Sequence, residues 1–432
     1  MRTFVPAVLA ASLLAAPIRP SASTGGSPPA QPPAAQPGAA HQAEGEAKQA
    51  PCAPVKPCEI PDEPAPAAEP AADFTGEARR LYDLVACQGP APAGLDAKTV
   101  ASFCARQSKA IAAYRDGYLP RAAAFLAKLR PEGLPGTVVY PFGGGDLLSA
   151  LTTYPDARNI TTLSLERAGD PRRIAALSSA TRLRASLEVI RATSSGLLYA
   201  NDSKTENLMK GQRGEIPGQL AFFMTALAIH GYEPVSLRFF RVEPDGTLHY
   251  LTVSEVAAQE KESAKQLRGS WTAPDFSPAF SNSELVFVRK GEDPKTSSRV
   301  HRHIAADLSD GALAKDPGPL RHLAAKGKFA AMTKAASYLL WREDFSSVRD
   351  LLLGQMVFMV SDSTGIPPRY ARKAGFEQET YGTYEQAFLA ANGAVDAEML
   401  KLWTSQPRRA LHFRYGYLDK ANHYHLLVTR KP

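Results

Sequence analysis

Two glycine-and-acid stretches carry the chemistry legible in this chain. The first is "YPFGGGD", in which Gly143, Gly144 and Gly145 precede Asp146. Glycines directly after an extended run let the backbone approach a ligand, and a helix that follows presents free N–H groups suited to a phosphate, carboxylate or ribose. The same residues also suit a tight turn in which Asp146 caps the helix. The second stretch is "SDSTGIP", with Ser361, Asp362 and Ser363 after an apolar run. It reads either as one wall of a ligand crevice or as an Asx/Ser turn ahead of "GIPP".

Two further residues belong with these. Glu166 ends the run "NITTLSLE", about 20 residues past the glycines, where an acid can hold ribose hydroxyls; the other reading is a solvated loop acid beside Arg167 and Arg172. Lys334, in "TKAASYLL" with Ser337 and Tyr338, can pair with an acid at the same edge or stand as a half-exposed lysine. His301/His303 and His423/His425 are His-x-His pairs, which share one face of a strand and can pinch a metal. No acidic partner at H-E-x-x-H spacing accompanies them, so no metal site is assigned. Asp307 and Asp310 read as turn acids. G-x-S-x-G, P-loop and C-x-x-C motifs are absent, and Leu148 stands where a dinucleotide fingerprint needs its third glycine. No catalytic residue and no cofactor follow from these patterns.

The elements that must position these residues alternate. "TVVYPF", "NITTLSLE", "SELVFVRKG", "SRVHRHIAADLSD", Phe329–Thr333 and Met356–Ser361 read as strands. "PVSLRFFRVE" and "LHYLTVSEV", split by "PDG", read as a hairpin. Helical patterns fall at 147–154, 171–190, 217–230 and 345–353. "ALHFRYGYL" and "YHLLVTRK" read as a terminal antiparallel hairpin. The expected fold is α/β: a Rossmann-like, mostly parallel sheet over 136–432 with helices on both faces and a C-terminal antiparallel hairpin. A small helical preface over 73–135 precedes it.

Ahead of the preface, residues 1–23 have the apolar run and small-residue end of a signal peptide, and residues 24–72 form an Ala/Pro-rich segment expected to be a disordered tether. The apolar run is too short and too Pro-interrupted to span a membrane. These features predict an exported, periplasmic or secreted protein. Cys52, Cys58, Cys87 and Cys104 are the four cysteines. In an oxidising compartment the local pairings are Cys52–Cys58 and Cys87–Cys104, with free thiols or a four-cysteine zinc site as alternatives. The net charge is +7, yet the basic residues are interspersed with acids and no nucleic-acid-binding arm stands out.

The order of the parts resembles a class I S-adenosylmethionine-dependent methyltransferase: glycine turn after the first strand, acid after the second, a helix between the fourth and fifth, and a late antiparallel hairpin. The resemblance covers roughly 136–430. It implies that Gly143 and Gly145 are motif glycines and that Glu166 is a ribose-binding acid. The chain departs from the family at Val139, where an acid is usual, and at Pro141, which replaces the first glycine. The "YPFGGGD" and "SDSTGIP" stretches are also similar to those of an uncharacterised set of exported bacterial proteins. The function expected is a non-catalytic ligand-binding or interaction protein on a methyltransferase-like scaffold, taking a small polar ligand. An active methyltransferase and an exported hydrolase are the alternatives.

Overall fold

The computed structural model describes residues 69–177, 179–200, 218–263, 277–334, 336–362, 364–384, 397–415 and 424–432. The signal-peptide reading, most of the tether, Cys52, Cys58, Ser363 and His423 lie outside them.

One ten-stranded sheet organises the chain. The strands are β1 Thr137–Tyr140, β2 Asn159–Ser164, β3 Tyr232–Val242, β4 Leu248–Tyr250, β5 Asn282–Arg289, β6 Arg299–Ala305, β7 Phe329–Thr333, β8 Met356–Ser361, β9 Glu377–Gly382 and β10 His425–Arg430. Their order is β4-β3-β5-β6-β2-β1-β7-β8-β10-β9. The centre, β6-β2-β1-β7-β8, is parallel. Antiparallel strands flank it on both sides: β3, β4 and β5 beside β6, and β10 and β9 beside β8. The fold is therefore α/β with a parallel core, as the alternating pattern predicts.

Alternation along each strand splits the core into two faces. Val138, Tyr140, Ala330, Met332, Phe358 and Val360 point to one face, where they pack under the helices Thr75–Ala86, Leu147–Thr153, Ala180–Ser195 and Leu220–His230. Val139, Ala331, Met359 and Ile304 point to the other, with Leu323, Val348, Leu352 and Ala371 of the helices that cover it. The helix Leu220–His230 is apolar all round, as a helix buried on every side must be, and stops at Gly231, whose φ of 72° is easy only for glycine. The helical preface shares the first of these cores, with Leu81, Phe103 and Leu126 buried in it. Residues 66–432 form one compact unit.

Cys87 and Cys104 form a disulfide between the helices Thr75–Ala86 and Ala97–Ala112, with Cα atoms 5.3 Å apart. Closing a loop of this length stabilises by about 3 kcal/mol in the chain-entropy model.

Two expectations need correction. The strand that pairs with β10 on its outer side is Glu377–Gly382; of the stretch "ALHFRYGYL", residues 410–415 form no strand and residues 416–418 lie outside the described residues. Leu411, Phe413 and Tyr415 sit in the core as part of an irregular segment, with no ladder. The aromatic alternation there reflects burial of every second residue, which a loop pressed on a core shares with a strand. Residues 69–72 are also no tether. Ala72 N donates to Leu251 O at 2.8 Å, Ala71 bridges Thr252, and Glu69 holds Ser254. They extend the β4 edge.

Both sheet edges are covered, as edges must be to avoid pairing with other chains. Phe74 N donates to Leu237 O on β3. On β9 the Gln406 amide imitates a strand: its Nε2 donates to Gln378 O at 2.7 Å and its Oε1 accepts Thr380 N at 3.1 Å.

Candidate functional site

In a parallel sheet the carboxyl ends of neighbouring strands share one edge. Here β1, β2, β7 and β8 bring the glycine turn, Glu166, Lys334 and Asp362 to that edge. All four polar positions are buried. What separates them is their hydrogen bonding.

Asp146 follows β1 and caps the helix Leu147–Thr153 by accepting Ser149 N at 3.1 Å. Its other oxygen accepts the Tyr140 hydroxyl at 3.1 Å and Lys334 Nζ at 2.9 Å. Lys334 also donates to Ser149 Oγ at 2.9 Å. The ammonium enters from the end of β7 and neutralises the turn acid, with both side chains about 1–2% exposed. This pairing makes a buried charge tolerable where a single one is not.

The glycines are required by the protein's own packing. A Cβ on Gly143 would stand 2.8–2.9 Å from the Tyr140 ring and carbonyl, and one on Gly145 would collide with Gln219 and Phe222. Gly144 has φ of 50°, and Phe142 before it is also left-handed at 61°. Gly143 N donates to Leu163 O on β2 at 2.8 Å, which ties the turn to the neighbouring strand.

Asp362 closes an Asx turn after β8. Its Oδ1 accepts Thr364 N at 3.1 Å, Thr364 Oγ1 at 2.9 Å and the Ser337 hydroxyl. Burial pushes its carboxyl up to about 6, against the lowering effect of those donors. Ser361 turns the other way and donates to Leu427 O on β10 at 3.4 Å. Asp307 and Asp310 also serve turns and caps, accepting Ser309 N and the Ser346 and Ser347 backbone amides.

Glu166 is different. It is 1% exposed, so it is no solvated loop acid. Among the described residues, both carboxylate oxygens are buried without a hydrogen-bond partner. Arg172, a neighbour in sequence, pairs instead with Asp170 at 2.8 Å and with Glu260. Only the backbone of Glu166 is anchored: its carbonyl accepts His303 Nε2 at 2.7 Å.

That contact leads to a polar chain which the sequence signals only in part. His301 and His303 share a face of β6, as the His-x-His spacing requires, and are fully buried. They are joined by Thr162 of β2, whose Oγ1 lies 3.0 Å from His301 Nε2 and 3.0 Å from His303 Nδ1. Phe223 packs on both rings. Burial holds His303 down to about 4 and His301 well below the usual range. Among the described residues no group of three or more metal-ligating side chains gathers. The threonine in the middle was legible in "NITTLSLE" only as a strand residue.

A cavity of about 450 Å³ lies elsewhere, against β9, lined by Arg372, Glu379, Gln406, Arg409 and Arg430. Its charges answer one another: Arg409 and Arg430 both pair with Glu379, and Arg372 with Glu398.

Among the described residues no helix is long and apolar enough to cross a membrane. Comparison with known proteins finds no family model, no curated protein and no solved structure that matches this chain.

Proposed function

We propose that this protein binds a small polar ligand carrying vicinal hydroxyls, of the ribose kind, at the carboxyl edge of its sheet, and performs no chemistry on it there. The observation that carries this reading is Glu166: a buried carboxylate with two oxygens that no group among the described residues satisfies. An unpaired buried polar group costs about 1–3 kcal/mol, and more when charged. A carboxylate offers acceptors only, so its natural complement is a pair of hydroxyl donors. The place agrees with the resemblance noted from sequence, in which the acid after the second strand serves a ribose.

The absence of catalysis rests on the other acids. Asp146 is neutralised by Lys334, and Asp362 is tied through Oδ1 to Ser337 and Thr364. Neither stands ready to take a proton from a substrate. Methyl transfer is further disfavoured by Val139 on β1, by Pro141 just after it, and by the expected export, which separates the protein from cytoplasmic S-adenosylmethionine.

Adenosine and 2′-deoxyadenosine are the discriminating probes, titrated calorimetrically into the full chain. Adenosine should bind, and both 2′-deoxyadenosine and the Glu166→Gln variant should lose about tenfold or more, the loss of one hydrogen bond or more to a charged acceptor. S-adenosylmethionine should show no binding. Equal affinity for the two nucleosides, or no binding of either, overturns the diol reading. Micromolar S-adenosylmethionine binding abolished by Glu166→Ala restores the methyltransferase.

A further inference from the structure

We propose that His303, His301 and Thr162 are positioning residues for Glu166: a one-way chain of hydrogen bonds that fixes both imidazole tautomers and pins the Glu166 carbonyl, so that its carboxylate keeps one orientation at the edge. The proposal deepens the ligand-binding reading and rests on it for its consequence, though not for its geometry.

The direction follows from counting protons. A backbone carbonyl only accepts, so His303 Nε2, 2.7 Å from Glu166 O, carries the hydrogen. Nδ1 of the same neutral ring is then a lone pair. Thr162 has a single hydroxyl proton, which must go to that lone pair. Its oxygen is left to accept, so His301 donates from Nε2. The reverse arrangement would put hydrogen on both nitrogens of His303 and so charge a ring that burial disfavours as a cation. His301 Nδ1 ends the chain as a buried lone pair with no partner among the described residues.

The surroundings keep both rings neutral. Ser283 and Leu285 of β5 stand opposite His303 and His301, Phe223 covers them from the helix Leu220–His230, and Thr162 and the Glu166 backbone face them from β2 and its end. Among the described residues no carboxylate forms an ion pair with either ring; each histidine is the other's titratable neighbour. The only position where a proton can be added without turning a donor against a donor is His301 Nδ1, which is desolvated. A proton on His303 Nδ1 instead faces the Thr162 hydroxyl and forces the chain to rearrange.

This also explains why Glu166 needs such support. The β2 ladder ends at Ser164, and Leu165 beyond it is 61% exposed. Between that last rung and the next backbone anchor, Ala168 N to Ser281 O, the His303 bond holds the peptide bearing the acid.

The test separates the chain from the ligand. Long-range ¹⁵N–¹H spectra of the full protein, with rings assigned by His301→Gln and His303→Gln, should show both histidines neutral with hydrogen on Nε2 from pH 7 down to pH 5. The Glu166 carbonyl ¹³C resonance should move upfield in Thr162→Val and return in Thr162→Ser, which keeps the hydroxyl; both variants leave strand packing nearly unchanged. A ring with hydrogen on Nδ1, ordinary titration near pH 6.5, or a Glu166 carbonyl indifferent to Thr162→Val overturns the chain. Adenosine affinity then reads the consequence: it should weaken about tenfold in Thr162→Val, about one net hydrogen bond, and recover in Thr162→Ser. Intact tautomers with no adenosine binding in the wild type overturn the ligand reading alone. Wild-type binding that Thr162→Val leaves unchanged overturns the positioning role.

Discussion

The two halves of the carboxyl edge treat buried acids in opposite ways. On the β1–β7–β8 side, Asp146 and Asp362 have Lys334, Tyr140, Ser149, Ser337 and Thr364 as partners. On the β2–β6 side, the Glu166 carboxylate has none among the described residues, and the His303 bond serves only its backbone. Glu284, on the opposite face of β5, follows the first pattern, with Arg238 at 2.7 Å, Arg302 at 2.7 Å and the Tyr250 hydroxyl at 2.5 Å. Burial alone thus says little about role. A buried acid that the protein completes is part of the scaffold; one that it leaves incomplete calls for an explanation of its own, for which an external ligand is the one proposed above.

The largest effect should come from breaking a completed pair. Lys334→Met leaves Asp146 charged, buried and short of its cation, which costs about 3–5 kcal/mol. Adding Asp146→Asn, which retains an acceptor for the helix cap, should recover more than half. Urea denaturation with unchanged slope measures both. A loss under about 1 kcal/mol for the single variant would mean that the pair is not holding the turn and that the contrast between the halves is overdrawn.

A smaller effect is expected from pH. Asp362 has its carboxyl raised to about 6 by burial, above its unfolded value. Its contribution is therefore complete below about pH 3.8 and lost as pH rises through about 6. His303 and His230 run the other way: burial lowers each to about 4, so their contribution is complete above about pH 6.5 and lost as pH falls through about 4. Asp362→Asn removes the first slope and keeps the second. Between pH 4 and 7 the stability difference should move in the variant's favour by up to ~3 kcal/mol, read from denaturation midpoints at each pH. A difference flat with pH would show that Asp362 titrates as an ordinary carboxyl and that its turn is not a closed environment.

The sequence reveals strands more readily than partners. β1, β7 and β8 are short apolar runs buried on both faces, a strong signal, and the turns after them carry glycine or Asx chemistry. β9 is polar, "EQETYG", because it lies at an edge, so its pattern resembles a loop. Asp146 and Lys334 are 188 residues apart and His303 and Thr162 141 apart, and nothing local links either pair. The His-x-His alternation showed that the two rings share a face. It did not show that a hydroxyl, rather than a metal, stands between them. Glu166 was legible as a candidate by its place after the second strand; that it is buried and incomplete is a property of the fold.

The smallest effect has the opposite sign and tests the contrast most directly. Glu166→Leu removes the unpaired carboxylate and fills its space with a side chain of similar size. The His303 bond survives, because it uses the backbone carbonyl. No group among the described residues loses a partner, since the carboxylate has none there. The variant should therefore gain about 1–3 kcal/mol, the cost of leaving a polar group unsatisfied, while losing adenosine binding. Asp146→Leu, the same chemical change a few residues from the neighbouring strand, should instead destabilise by stranding Lys334 and uncapping a helix. Two substitutions of buried acids by leucine at one sheet edge, moving stability in opposite directions, would separate scaffold from site. If Glu166→Leu also destabilises, then the carboxylate is completed by some internal partner such as ordered water, and the case for an external ligand at Glu166 falls with it.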